Sequence, residues 1–370
     1  MTITSPTGGT APARMAVAPG PHSGSSGAGP APRPRRRLPV LLAAVVLLLA
    51  TTLLSLMVGA RPIDPATVWD ALTGIARGID PATLPDEHVM VREGRLPRTV
   101  TGLVVGAALG LCGALIQAFT RNPLADPGIL GVNAGASFAV TLAVGVLGFT
   151  DPSGFIWFAL AGAFVLTVLV YVLGSLGSQG ATPVKLTLAG VALTAVFSGF
   201  TTALTLKNTA TFDTMRFWGI GSLGGRPLDI LTVAGPLLAA GALLGLLCAR
   251  PLNALALGDD TAVSLGARLG PTRVAVVLAV TLLAGTSVAV AGPISFVGLM
   301  VPHIVRWITG PDQRWVLPLT LLVAPAFLLA ADIVARVVLP SGELRVGLVT
   351  ALVGAPVLIV LVRRRTASGL

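Results

Sequence analysis

The chain is expected to fold as an all-α, polytopic membrane protein of about ten transmembrane helices. Apolar residues make up 54% of the 370 residues and charged ones 11%, against roughly 25% charged in ordinary soluble domains. A water-soluble fold with that balance would lack the polar surface to cover itself. The second observation is the stretch Arg95–Ser137, where an Arg-Pro-Arg edge leads into about twenty uncharged residues. Gly102, Gly106 and Gly110 recur every fourth position there, with Gly113 following. Glycines four apart make a flat stripe that lets helix backbones approach closely in lipid. The third is the Pro- and Gly-broken loop after them, which ends one span and starts another.

Taken from the N-terminus, residues 1–37 are rich in Pro, Gly, Ser, Ala and Thr and end in a basic run. Such a composition cannot bury a core, and a disordered cytoplasmic tail is expected. Residues 38–365 are expected to form the membrane domain, and 366–370 a short C-terminal tail. The run 38–59 is longer than the roughly 7–15 residues of a secretion-signal core, so it reads as an uncleaved first span. The following spans are expected near 98–120, 133–149, 155–174, 186–206, 228–248, 273–291, 295–309, 316–338 and 346–362, each long enough or nearly so for a ~30 Å apolar slab. The eighth is short, and Pro293 and Pro302 break its neighbourhood, which predicts a tilted or partly unwound segment.

An even number of spans puts both termini on one side. With that topology 15 of the 25 Lys and Arg fall on the side of the tails and 10 on the other. The positive-inside rule then places both termini in the cytoplasm, with the chain in the cytoplasmic membrane. Pro123-Leu-Ala-Asp-Pro-Gly128-Ile-Leu and Pro293-Ile-Ser-Phe-Val-Gly298-Leu-Met share one pattern. They lie five spans apart and on opposite faces, as an inverted repeat of a transporter would leave them.

Chemistry is scarce. The only lysines are Lys185 and Lys207, and neither stands in a phosphate-binding G-x-x-x-x-G-K-[ST] loop. If ATP drives the protein, another subunit hydrolyses it. Proton- or sodium-driven carriers place carboxylates or histidines at mid-membrane depth. The deepest candidate here is Asp332, four residues before Arg336, which reads as a helix-surface pair. No H-E-x-x-H motif occurs, Cys112 and Cys248 read as small packing residues, and the basic residues form no stripe interleaved with aromatics. Catalytic residues, a metal site, a cofactor and nucleic-acid binding are therefore not expected. The loop from Ala249 to Arg273 has apolar residues alternating with small and polar ones, and reads as short helices that dock a cytoplasmic partner.

Together R-L-P-R98, N122-P-L-A-D-P-G-I-L-G131, R250-P-L-N-A-L-A-L-G258 with L-G266, G292-P-I-S-F-V-G-L-M-V-P-H303, A331-D-I-V-A-R336 and E343-L-R-V-G347 closely resemble the FecCD-like permeases. These are membrane subunits of ABC importers for iron-siderophore complexes, haem and cobalamin. The resemblance spans roughly 38–365 and implies a type II importer bundle. It implies a second permease subunit, identical or different, around a central pathway in the lipid. It implies ABC ATPase subunits docked through Arg250, Leu252, Asn253, Leu255, Leu257, Gly258, Leu265 and Gly266. It implies an extracytoplasmic substrate-binding protein whose acids meet Arg95, Arg98 and Arg336 at an outer rim, where arginine forks suit carboxylates. The resemblance also puts an inner gate between spans four and five. Of its small hydroxyl residues only Thr182 stands here, and a gate closed by Pro183 and Val184 would be apolar. Iron-siderophore is the expected cargo, with haem or cobalamin as alternatives. The rival from another class is an ion-coupled carrier acting without an ATPase.

Overall fold

The computed structural model describes residues 2, 37–59, 61–76, 84–149, 154–176, 182–339 and 342–367. The expected disordered tail lies, but for residues 2 and 37, outside them. All described regular structure is helical: α1 (Arg37–Met57), α2 (Pro65–Ala76), α3 (Asp86–Val89), α4 (Leu96–Thr120), α5 (Val132–Gly145), α6 (Phe155–Ser175), α7 (Pro183–Lys207) and α8 (Thr209–Trp218) make the first part. α9 (Ile230–Leu247), α10 (Ala249–Leu255), α11 (Asp259–Ser264), α12 (Leu269–Ala291), α13 (Val297–Thr309), α14 (Gln313–Val337) and α15 (Val346–Ala367) complete it.

All ten expected spans correspond to helices, but seven are long and apolar enough to cross a membrane by length and composition. The other three, Val132–Gly145, Val297–Thr309 and the Val346–Val360 stretch of α15, are shorter. The third expected span stops at Gly145, where Val146 and Leu147 turn back onto Leu142 O. The eighth is preceded by an unwound stretch in which Gly292 and Phe296 have φ of +73° and +69°. α2, α8 and the helical lead-in to α4 add structure that the apolar runs do not mark. That lead-in is α3 followed by a π-helical turn, Met90–Arg95, and makes Asp86–Thr120 one continuous 35-residue helix.

α4 and α12 are the centre of the bundle, each with 78% of its most apolar stretch buried, whereas α7 has 11%. α4 packs along α14, α12 and α13. Its glycines face these neighbours. A Cβ added at Gly102 would lie 2.6 Å from Leu329 Cδ2, one at Gly106 2.5 Å from Pro325 Cα, and one at Gly110 2.3 Å from Ala324 Cβ. At Gly113 it would lie 1.9 Å from the Gly298 carbonyl oxygen, so two backbones touch there.

The two Pro/Gly loops occupy matching places. Each connects one of the two deeply buried helices, α4 or α12, to a short one, α5 (14 residues) or α13 (13 residues). In the first loop Asn122 and Asp126 accept from the backbone N–H groups of Leu124 and Gly128, and a 3-10 turn over Pro127–Leu130 follows. α7 closes onto this turn at Gly190, where a Cβ would lie 1.7 Å from the Ile129 carbonyl oxygen.

Candidate functional site

At the end of the bundle that the charge distribution assigns to the outside, hereafter the outer end, the three arginines expected at the rim converge. The π-turn and α4 carry Arg95 and Arg98, and the last turn of α14 carries Arg336. Arg95 and Arg336 are buried, which a rim position does not anticipate. Both close the C-terminus of α1, whose last carbonyls have no partner within their own helix. Arg95 donates to Leu56 O at 2.9 Å, to Met57 O at 2.6 Å and to Arg61 O. Arg336 donates to Ser55 O and Ser55 Oγ, both at 2.9 Å.

Arg98 does different work. Its Nε and Nη2 grip the carboxylate of Asp332 at 2.8–3.1 Å, and its Nη1 donates to Glu343. Asp332 also pairs with Arg336 at 3.2 Å. The expected i, i+4 pair thus forms, but not on a helix surface: Asp332 is fully buried and Arg98 grips it with more bonds. The reason is tertiary, since α4 lies against α14 along its length. A cavity of about 390 Å³ opens among Arg61, Arg95, Arg98, Arg336 and Glu343. Arg61 is exposed on its wall, and no motif in the sequence had marked it.

At the opposite end, α10 and α11 sort the expected coupling residues into two kinds. Leu252 and Leu255 are buried against the bundle. Asn253 ties α10 to the start of α14, donating to Asp312 Oδ1 at 2.7 Å and accepting from Gln313 N at 2.9 Å. Asp259 is held by Arg273 at 2.7 Å and by Arg121. These bonds tie the connector to the bundle and leave Arg250, Leu257, Val263 and Leu265 turned outward, the two leucines 63% and 64% exposed. Gly258 and Gly266, with φ of +105° and +83°, make the turns that present them.

The third place is a cavity of about 360 Å³ between α5 and α7, lined by Asn133, Ser137, Thr194, Ser198, Thr201 and Thr202, with Pro293 as one wall. Phe138 stands edge-on to Phe197 at 5.0 Å beside it. The spacing 194, 198, 201 puts hydroxyls on one helical face, a signal the sequence carries but that residues this small leave faint. The expected inner gate does not join this cavity. Thr182 caps α7 by accepting from Lys185 N at 3.4 Å, Pro183 begins the helix, and Val184 is exposed. Thr194 lies 12 residues further on, about 18 Å along the axis. Among the described residues, no group of three or more His, Cys, Asp or Glu is placed to hold a metal ion.

The sequence matches the FecCD transport family over residues 47–364. It is 49% identical over 324 residues to the ferric enterobactin transport system permease protein FepD of Escherichia coli (strain K12), covering 87% of this chain and 94% of that protein. It is 42% identical over 278 residues to the probable siderophore transport system permease protein YfiZ of Bacillus subtilis (strain 168), covering 75% and 84%. The fold superimposes on a solved metal-chelate type ABC transporter in an inward-facing conformation with a TM-score of 0.76 and 30% identity, covering 88% of this chain and 99% of that one.

Proposed function

The chain belongs to the FecCD transport family and is a permease subunit of an ABC importer, not an enzyme, and from that premise we propose that its cargo is an iron-siderophore chelate. The full-length likeness to FepD carries this reading. In it, separate ATPase subunits dock on the outward-turned Leu257, Val263 and Leu265. ATP binding biases the bundle through the ATPases' differential affinity for its states. A substrate-binding protein docks at the outer end over the cavity of Arg61, Arg95, Arg98 and Arg336. Arg61 and Arg98 meet its carboxylates there, and Arg95 and Arg336 hold the frame. A second permease subunit faces the sparsely buried α7, so that the hydroxyl-lined cavity becomes part of a shared pathway. Both termini are cytoplasmic in this arrangement.

Reconstitution tests it. Liposomes with the permease, its ATPase and its binding protein should take up radio-iron as a siderophore complex only with ATP inside the ATPase compartment. Uptake by the permease alone, driven by a proton gradient, would instead establish the ion-coupled carrier.

A further inference from the structure

Asp259, the first residue of α11, is the point where the connector between α9 and α12 meets the end of α4. Each of its carboxylate oxygens is taken by a different arginine, Oδ2 by Arg273 of α12 at 2.7 Å and Oδ1 by Arg121. Arg121 is the C-terminal cap of α4 and one of two non-glycine residues with positive φ among the described residues, at +52°. This left-handed cap turns the chain out of α4 and into the loop before α5. The Arg121 and Asp259 side chains are 43% and 40% exposed, and pairs so open to solvent add little to fold stability. What the pair does is join two elements 138 residues apart in the chain.

The loop that Arg121 heads is braced by its own bonds. Ala125 N donates to Asn122 O and Ile129 N to Asp126 O, both at 3.1 Å, and Gly131 N donates to Gly128 O at 2.9 Å. Ala125 and Leu130 are buried against the bundle. Both walls of the hydroxyl-lined cavity start from this loop. α5, which carries Asn133 and Ser137, begins directly after Gly131. α7, which carries Thr194 and Ser198, sets the backbone of Gly190 on the Ile129 carbonyl, with no side chain between them. A displacement at Arg121 therefore reaches α5 through the chain itself and α7 through a backbone contact.

We infer that the Asp259–Arg121 ion pair is the strut by which the ATPase-docking connector sets the α4–α5 loop, and through it the two walls of the α5–α7 cavity. The inference rests on the permease reading and names the residues that link ATP binding to the pathway. Coupling between distant sites travels through contiguous packed and hydrogen-bonded contacts, and this is such a chain: α11, Asp259, Arg121, the braced loop, then α5 and α7. A charge-assisted bond suits the joint because it is short and directional. With its second oxygen held by Arg273, the carboxylate cannot turn away from Arg121 without losing a bond. Both members are positioning residues, since neither lines the cavity.

The test uses the importer assembled with its ATPase in nanodiscs, carrying an environment-sensitive dye on Ser198→Cys at the cavity wall; Cys112 and Cys248 are buried. ATP alone, without cargo, should change the dye signal when residues 121 and 259 are native. Asp259→Ala and Arg121→Ala should each shrink that change by about fivefold or more. ATPase recovery and ATP hydrolysis should stay within about twofold, as for an exposed pair that does not hold the fold. Because the two act as one unit, the double variant should lose no more than about twofold beyond either single variant. Asp260→Ala, exposed beside Asp259 and without an ion pair among the described residues, should respond as the native pair does. No ATP response with the native pair, an undiminished response in the single variants, losses that add in the double variant, or a parallel loss of ATPase recovery overturns the strut. ATP-driven uptake of radio-iron as ferric tris-catecholate separates the two readings. Uptake that persists while the dye predictions fail sinks the strut alone, and dye predictions that hold without uptake sink the proposed cargo alone.

Discussion

Arg98 on α4 and Asp332 on α14, 234 residues apart in the chain, are joined by three hydrogen bonds of 2.8, 2.9 and 3.1 Å. One fully buried carboxylate there answers two guanidinium groups, because Arg336 reaches it at 3.2 Å. Removing the carboxylate takes the acid from Arg336 and leaves Arg98 with only the half-exposed Glu343. Asp332→Asn should therefore destabilise the permease by about 3–5 kcal/mol, read as a fall in the thermal midpoint in detergent. A midpoint within error of wild type would mean that the cluster is not under electrostatic load.

Glu343 is the outer, replaceable member of the same network. It is 42% exposed and binds only the remaining donor of Arg98. Glu343→Gln should cost less than about 1 kcal/mol, as for other solvent-screened pairs. It should also tighten the binding protein by about threefold, since the carboxylate competing for Arg98 is weakened. Surface-immobilised permease titrated with binding protein checks this, and weaker docking would contradict it.

At Gly113 the obstacle to a methyl group is the Gly298 carbonyl at 1.9 Å, and backbone cannot rotate aside as a side chain can. Gly113→Ala should abolish a monodisperse, heat-stable peak in gel filtration. Gly235→Ala, with nothing within 4 Å of its added Cβ, should elute as wild type.

Leu252 and Leu257 lie on one connector but face opposite ways, the first buried and the second exposed. Leu257→Glu with Leu265→Glu should leave the fold intact and reduce ATPase co-purification by about tenfold or more. Leu252→Glu should instead lower the yield of folded protein. Normal ATPase recovery with the double variant would remove these leucines from the interface.

Asp126, in the loop between α4 and α5, gives a pH dependence. Burial pushes its carboxyl pKa up, and the N–H of Gly128 offsets part of that. The folded chain therefore holds this proton to higher pH than the unfolded chain, so the contribution to stability falls as pH rises above about 4. Asp126→Asn keeps the acceptor for Gly128 and has no charge to bury. Its thermal midpoint should gain on wild type between acid and neutral pH, and a constant difference across that range would refute the assignment.

The membrane helices were legible because each is a long apolar run, and lipid demands such runs whatever surrounds them. α2 and α8 were not, because PATVWDALTGIA and TATFDTMRFW are short and mix polar with apolar residues. The π-turn at Met90–Arg95 lies in the charged stretch MVREGR, where no periodicity announces a helix. Among site residues, the sequence marked Arg95, Arg98 and the Asp332–Arg336 pair, but not the partners of Arg95 and Arg98. The acceptors of Arg95 are backbone carbonyls 34–39 residues upstream, and backbone carries no signature in a sequence. Leu252 and Leu257 looked alike for the same reason, since only packing distinguishes them.

α7 is fully buried only at Leu186 and Gly190, both near its first turns. With Gly190 seated on the Ile129 carbonyl, the helix has its closest backbone contact near one end. Lys207 lies 17 residues beyond that point, about 25 Å away, so a tilt of about 10° would swing it by roughly 4 Å. Any tilt about that contact is thus larger at the far tip than at the base.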